Sequence, residues 1–168
     1  MRVFLIGFMG SGKTTYGREL AERAGRVFID LDEVIEAEAG KSITEIFAGE
    51  GEERFRVLEH EALRRTIAIH PEAVIAVGGG TPCYFNNMEL MNGSGITIYL
   101  QHPPEVLAAY LEEEPDKRPL ISGMGREELR EYIAGKLQER EPFYRQAQVI
   151  LQWPDISAAA LMRVVVRG

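Results

Sequence analysis

Residues 7–14 read Gly-Phe-Met-Gly-Ser-Gly-Lys-Thr, directly after the apolar run Val3–Ile6 and directly before a helical pattern. Gly7-x-x-x-x-Gly12-Lys13-Thr14 fits the spacing G-x-x-x-x-G-K-[ST], and it stands in the strand–loop–helix context that the motif requires. Glycine lets successive backbone N–H groups turn toward an anion with no Cβ in the way. The helix that follows presents its N-terminus to the same anion. Lys13 can reach the outer oxygens of a triphosphate, and Thr14 offers a hydroxyl to Mg²⁺. A plain glycine turn is the plainer alternative, and the context argues against it.

The rest of the chain alternates short apolar runs with helical patterns. Arg2–Gly7, Val27–Asp30, Ala73–Val77, Ile96–Leu100 and Gln148–Gln152 read as strands. Ala73–Val77 is apolar throughout, as a strand covered on both faces should be. Lys13–Ala24, Glu33–Glu38 (capped by Asp32), Glu52–Ile69, Pro104–Leu111 and Arg126–Arg140 read as helices, with a short helical turn near Ser42 and Thr44 interrupted at Gly49 and Gly51. A last helix starts near Asp155, with Val164–Val166 open to a strand reading. Glu112–Gly125 has no periodicity and is long enough that a functional loop is the better reading. This alternation predicts a parallel sheet with helices on both faces and right-handed crossovers. Ligands then bind outside the carboxyl ends of the strands. Gly7, Gly78–Gly80, Asp30 and Asp32 all fall at such ends.

Composition narrows the class. At 168 residues, 45% apolar and 27% charged, a single globular domain over 1–168 is expected. A net charge of -7 argues against a nucleic-acid or anionic-membrane partner. There are 19 basic residues, of which Lys13, Lys41, Lys117 and Lys136 are the only lysines. An arginine-dominated set suits planar, two-point recognition of carboxylate or phosphate. The single cysteine, Cys83, cannot form an internal disulfide, and no Cys/His spacing suggests zinc, so a reducing, cytoplasmic setting is expected. His60, His70 and His102 are scattered and are not expected to do chemistry. Val3–Met9 is too short to span a bilayer.

The ends of the strands also bear on the class of phosphate-loop protein. A motor or switch keeps an acidic residue at the end of a buried strand to orient its metal. Here Ala73–Val77 ends in three glycines instead, and no Asn/Thr-Lys-x-Asp guanine-reading sequence occurs. The acidic partner of the loop is expected at Asp30.

An ordered set of motifs carries the reading further: Gly7–Thr14; Asp30-Leu-Asp32; Gly51-Glu-Glu-Arg-Phe-Arg56-x-x-Glu59; Gly78–Gly80; Arg118-Pro-Leu120; and Leu137-x-x-Arg140-x-Pro142-x-Tyr144. In this order, over nearly the whole chain, they resemble the shikimate kinase family. The resemblance implies a monomeric, three-layer αβα P-loop kinase of the nucleoside-monophosphate-kinase type, with five parallel strands in the order 2-3-1-4-5. It implies transfer of the γ-phosphate of MgATP to the 3-hydroxyl of shikimate, in chorismate and aromatic amino-acid biosynthesis. On that resemblance Gly10, Ser11, Gly12, Lys13, Thr14, Thr15 and Arg118 bind ATP, and Thr14 and Asp30 hold Mg²⁺. Asp32, Arg56, Gly78, Gly79, Gly80 and Arg140 bind shikimate, within a substrate region of about 32–60 and beyond. Lys13, Asp32 and Arg118 are the expected catalytic set, with Arg118 in a lid spanning about 112–125.

Plainer readings stand beside these. Asp30 or Asp32 alone is most often a helix cap. Arg56 could be a solvated partner of Glu59, which lies one turn away and could equally brace it. Gly78–Gly80 could be a turn. Arg140 could end a helix by complementing its dipole. Trp153 stands where the family contacts adenine, or else is a surface aromatic. Family lids tend to be basic ahead of Arg-Pro-Leu, whereas this chain has Glu112-Glu-Glu114, which is expected to point outward. The nearest alternative is another small-molecule P-loop kinase, such as a gluconate kinase.

Overall fold

The computed structural model describes residues 1–113 and 121–167. Five strands form one parallel sheet: β1 (Arg2–Ile6), β2 (Phe28–Asp30), β3 (Val74–Ala76), β4 (Gly95–Gln101) and β5 (Val149–Gln152). Their order is β2-β3-β1-β4-β5, as the resemblance implies. Among the described residues seven α-helices connect or flank them: α1 (Lys13–Ala24), α2 (Leu31–Ala39), α3 (Ile43–Ile69), α4 (Asn87–Ser94), α5 (Pro104–Glu112), α6 (Arg126–Tyr144) and α7 (Ala158–Arg167).

The two-residue repeat of a strand sends alternate side chains to opposite faces. On β1, Phe4 and Ile6 enter a core that continues through Ile75, Val77 and Tyr99 to α2, α3, α5 and α6. Val3 and Leu5 enter a second core with Val74, Ile98 and Leu100, closed by Leu20 of α1 and by Leu161 and Val165 of α7. Both faces of the central strands are dry, which is why those strands carry no polar alternation.

The register sets the working edge. Leu5 pairs with Ala76, and Asp30 pairs with the same Ala76 from the other side. The carboxyl ends of β1, β2 and β3 therefore lie level, and the chain leaves them as Gly7–Gly12, Leu31–Asp32 and Gly78–Gly80.

Several boundaries differ from the sequence reading. The cap of α2 is Asp30, not Asp32: the Asp30 side chain accepts from the Asp32 N–H at 2.9 Å. Asp32 sits in the first turn, where its side chain is released for other work. Helix α3 runs from Ile43 to Ile69, with a kink at Gly51, whose φ of 84° leaves the helical range. The short turn and the long helix are thus joined across the expected interruption. Helix α6 continues past Arg140 and Pro142 to Tyr144. Arg140 is therefore inside a helix and does not terminate one. Burial of Tyr144 rewards that extra turn, whatever Pro142 costs. Val164–Val166 is helical, because Val165 packs with Leu161 against the sheet. The short α4, made of Asn87–Ser94, has a weak apolar pattern and escapes sequence reading.

Gly95, at the start of β4, pairs with Arg2. An added Cβ there would run into the Arg2 carbonyl, a backbone atom that cannot swing aside. Gly95→Ala is expected to destabilise the fold by about 1–3 kcal/mol, read as a lower urea midpoint with an unchanged slope.

Candidate active site

The loop after β1 closes on itself before it can close on a ligand. The Ser11 N–H donates to the Phe8 carbonyl at 3.1 Å, and Gly12 takes φ 86°, which leads the chain into α1. Helix α1 has no side-chain cap and no acidic residue in its first turn, whereas α2 and α3 are capped by Asp30 and Ser42. Unclaimed N–H groups with a positive helix end are what an anion needs. The Lys13 ammonium donates to the carbonyls of Gly7 and Phe8, the latter at 3.2 Å, which holds it over the loop.

A cleft of about 800 Å³ opens at this edge, walled by the 9–15 loop, Asp30, Asp32 and Ala76–Gly79, with Tyr110 and Leu111 opposite. Asp30 serves two ends at once. One oxygen caps α2, and the other lies 3.5 Å from the Thr14 hydroxyl. The cap reading of Asp30 is therefore correct and leaves its second oxygen facing the loop.

Four side chains from three helices converge on Gly78–Gly80, next to the cleft. A Cβ on Gly78 would lie 3.2 Å from an Asp32 oxygen and 3.2 Å from a Glu59 oxygen. On Gly79 it would lie 3.0 Å from Arg140 Nη1, and on Gly80 2.6 Å from both Nη atoms of Arg56. A side chain at residue 80 would force the Arg56 guanidinium to move, and one at 78 or 79 would crowd its neighbours. The triplet is also a turn, since Thr81 N–H donates to the Gly78 carbonyl at 3.1 Å, and it leads into a single 3-10 turn at Thr81–Cys83.

The two arginines and Glu59 are braced. Arg56 donates to Glu59 at 3.0 Å, and Glu59, almost fully buried, accepts the Thr81 hydroxyl at 2.8 Å on its other oxygen. Burial pushes the Glu59 carboxyl above its usual range, against the pull of Arg56. The Arg56 guanidinium lies 4.1 Å from the centre of the Tyr84 ring, and Arg140 lies 5.4 Å from that of Phe8. One turn beyond Arg140, the buried Tyr144 hydroxyl donates to the Gly79 carbonyl at 2.5 Å. Burial pushes that phenol well above its usual range, so it stays a donor. Asp32 is raised to about 6, first by burial and then by the charges of Asp30 and Glu59.

With this geometry in place, comparison with known proteins is decisive. A family model described as shikimate kinase matches residues 9–167. The chain belongs to the shikimate kinase family. Among curated family members, the shikimate kinase of Parabacteroides distasonis is 49% identical over 148 residues, 88% of this chain and 85% of that one. The crystal structure of shikimate kinase from Bacteroides thetaiotaomicron superposes with a TM-score of 0.92 at 38% identity, covering 99% of this chain and 98% of that one. Shikimate kinase from Acinetobacter baumannii, solved in complex with shikimate, gives 0.84 at 34% identity, covering 99% and 90%.

Of the residues expected from this family resemblance, Gly10–Thr15, Asp30, Asp32, Gly78 and Gly79 line the cleft. Arg56, Gly80 and Arg140 adjoin it through the glycine triplet. Arg118 and the Arg-Pro-Leu motif lie outside the described residues. Trp153 is exposed and stands apart from the cleft walls, while its backbone N–H donates to the Gln101 carbonyl at 2.9 Å. Of the acidic run, Glu112 is paired with Arg126 at 3.0 Å and Glu113 is exposed. His60 bonds Asn87 at 2.6 Å and does not line the cleft, while His102 contacts the Leu100 carbonyl at 3.3 Å and packs edge-on against Tyr110, a cleft wall. Sequence reasoning missed Thr81, Tyr84 and Glu52. Glu52 is legible in retrospect, four residues before Arg56 on one helix. Thr81 and Tyr84 come from another element and leave no periodic signal.

Folding around an ionised Asp32 is unfavourable. Its folded value of about 6 lies above the ordinary 3.8. The penalty is complete above pH 6, fades as the pH falls and is gone below the ordinary value. Asp32→Asn is therefore expected to be more stable than the parent at pH 8 by about 1–3 kcal/mol, with the gap closing toward pH 4. Urea titrations at the two pH values check this.

Proposed function

We infer that the chain is a shikimate kinase, moving the γ-phosphoryl group of ATP to the 3-hydroxyl of shikimate to give shikimate 3-phosphate and ADP. This product lies on the route to chorismate and the aromatic amino acids. The observation that carries the inference is the convergence of Asp32, Arg56 and Arg140 on one glycine triplet beside the phosphate loop. A small, carboxylated, polyhydroxylated ring needs paired cations at one end and an acceptor of hydroxyl protons at the other.

Each residue then has a role. The N–H groups of Gly10–Thr15 and the α1 terminus cradle the β and γ phosphates, and Lys13 balances their charge. Arg56 and Arg140 hold the shikimate carboxylate from two helices, which sets both its position and its rotation. Gly79 and Gly80 bring backbone against the ring. Asp32 takes the hydrogen bond of the attacking hydroxyl. As oxygen bonds to the γ phosphorus and the bridge to the β phosphate breaks, the proton passes to Asp32 or through it to solvent. A loose transition state asks little basicity of this group, so orientation is its larger contribution. Arg118 is proposed to place positive charge beside the transferring group.

Mg²⁺ suits the donors present. Thr14 and Asp30 offer two hard oxygens 3.5 Å apart, and among the described residues no group of three or more His, Cys, Asp or Glu could form a closed metal cage. Such a sparse set suits an ion that keeps its waters and binds phosphate oxygens. Once bound, Mg²⁺ neutralises charge on the phosphates. On the family resemblance and the single cysteine, Cys83, the working unit is proposed to be a cytoplasmic monomer. Among the described residues no helix is long and apolar enough to cross a membrane.

ADP release with ATP alone, and then with shikimate, gluconate or a nucleoside monophosphate added, tests the reading. The rate is expected to rise only with shikimate; a rate indifferent to all three would overturn it. Arg140→Lys, which loses the planar fork, is expected to raise KM for shikimate about tenfold or more with KM for ATP little changed. For the parent enzyme, kcat/KM for shikimate is expected to fall on the acid side with an apparent pKa near 6, the value of Asp32.

A further inference from the structure

Arg56 has two carboxylates on its own helix, and they are not equivalent. Glu59 is 1% exposed, lies 3.0 Å from Nη1, and has its second oxygen committed to Thr81. Glu52, one turn earlier, is 56% exposed and reaches Nη2 only at 3.5 Å. The same Glu52 oxygen accepts the Tyr84 hydroxyl at 2.8 Å. That hydroxyl holds the Glu52 carboxyl below its usual range, so it is charged at neutral pH. Meanwhile the guanidinium is held by Glu59 and by the face of the Tyr84 ring, and it fills the space beside Gly80 that a side chain there would need. Glu52 is not needed to position Arg56. It occupies the outer edge of a cation whose inner edge is already neutralised.

We propose that Glu52 is an exchangeable counter-ion of Arg56, which yields the outer guanidinium edge to the incoming substrate carboxylate and rests on the Tyr84 hydroxyl when it does so. The proposal rests on the reading of Arg56 as a carboxylate clamp. Two carboxylates cannot share one edge without repulsion, so substrate binding must displace Glu52 or meet its charge. Displacement costs only a long, solvent-screened ion pair, of the kind worth little in stability. The Tyr84 bond survives it, and Tyr84 is itself on the segment that follows the glycine triplet. In effect, Glu52 raises the threshold for any anion at Arg56. A monovalent carboxylate gripping one edge competes poorly, while a ligand also held by Arg140 and Asp32 overcomes it. Glu52 thus sets the affinity of the clamp, lowering it for the correct substrate and for other carboxylates alike.

Glu52→Gln keeps the size and the Tyr84 acceptor but removes the charge. KM for shikimate is expected to fall about three- to tenfold, with KM for ATP unchanged. Acetate, used as a simple carboxylate inhibitor, should become more potent by a similar factor. Tyr84→Phe keeps the ring and removes the resting partner; KM for shikimate should rise about two- to fivefold, and the double variant should match Glu52→Gln, since Tyr84 acts here through Glu52. A purely structural role would lower Tm and raise KM in all three. An unchanged or raised KM in Glu52→Gln, or in Glu52→Ala should the glutamine variant fail to fold, overturns the proposal. Arg56→Ala separates the two readings. If it leaves KM for shikimate unmoved, the clamp itself is wrong; if it raises KM while Glu52→Gln does nothing, only the counter-ion proposal falls.

Discussion

The pairing of Ala76 with Leu5 on one side and Asp30 on the other is the constraint on which the site depends. Parallel strands in this register end at one level, so three unrelated stretches of chain leave the sheet side by side. A slip of one residue at β3 would exchange the faces of Val74, Ile75 and Ala76 and move the glycine triplet away from the phosphate loop. The dry cores on both faces forbid that slip, since each face accepts only its own set of side chains. Core packing, which has no chemistry of its own, thereby sets the separation between the donor and acceptor sides of the cleft.

What gathers at that edge is costly to the fold and useful to the reaction. Helix α1 begins without a side-chain cap, although α2 and α3 have one. Asp32 is pressed by burial and by two neighbouring carboxyls into a state that resists ionisation. Arg56 fills the space a side chain at Gly80 would need, and among the described residues its buried Nε has no hydrogen-bond partner. Each is a polar group left under-satisfied where a ligand can satisfy it. In an acidic chain such as this, the arrangement also separates charge: the loop after β1 has Lys13 and the helix terminus, the far side of the glycine triplet has Arg56 and Arg140, and on the proposed reading these face phosphate and acceptor respectively.

Much of this was legible in the sequence because it depends on local pattern. Five apolar runs between helical segments give the sheet, and glycine spacing before Lys13 gives the loop. The ordered motifs bring Arg56 and Arg140 to notice, although each looks ordinary alone. The failures share a cause. Asp30 and Asp32 are equally good caps by residue type, and only the backbone path decides which one turns inward. Pro142 argues for ending α6, and only the tertiary burial of Tyr144 outweighs it. Tyr84 and Thr81 act across elements, where no periodicity exists to betray them. Arg118 tests the same limit from the other side, since its motif is plain in the sequence while its position lies outside the described residues.

The two arginines are anchored in unlike ways, and the difference has a consequence. Arg140 shares α6 with Tyr144, whose hydroxyl is bonded to the carbonyl of Gly79, the glycine that Arg140 itself overhangs. Guanidinium and glycine are thus tied through one turn of helix, and Tyr99 reinforces the tie by bonding Glu141 from β4 at 2.5 Å. Arg56 is tied to the loop by Glu59 and Thr81, but the part of its helix before Gly51 is offset by the kink there. Glu52 stands just after that kink and is the most solvent-exposed member of the Arg56 network. On the proposed reading the acceptor site accordingly has one jaw bonded to the sheet edge through α6, and one whose inner half is bonded while its outer half faces solvent. A clamp built this way can recognise a carboxylate by shape on the first side and admit it by exchange on the second.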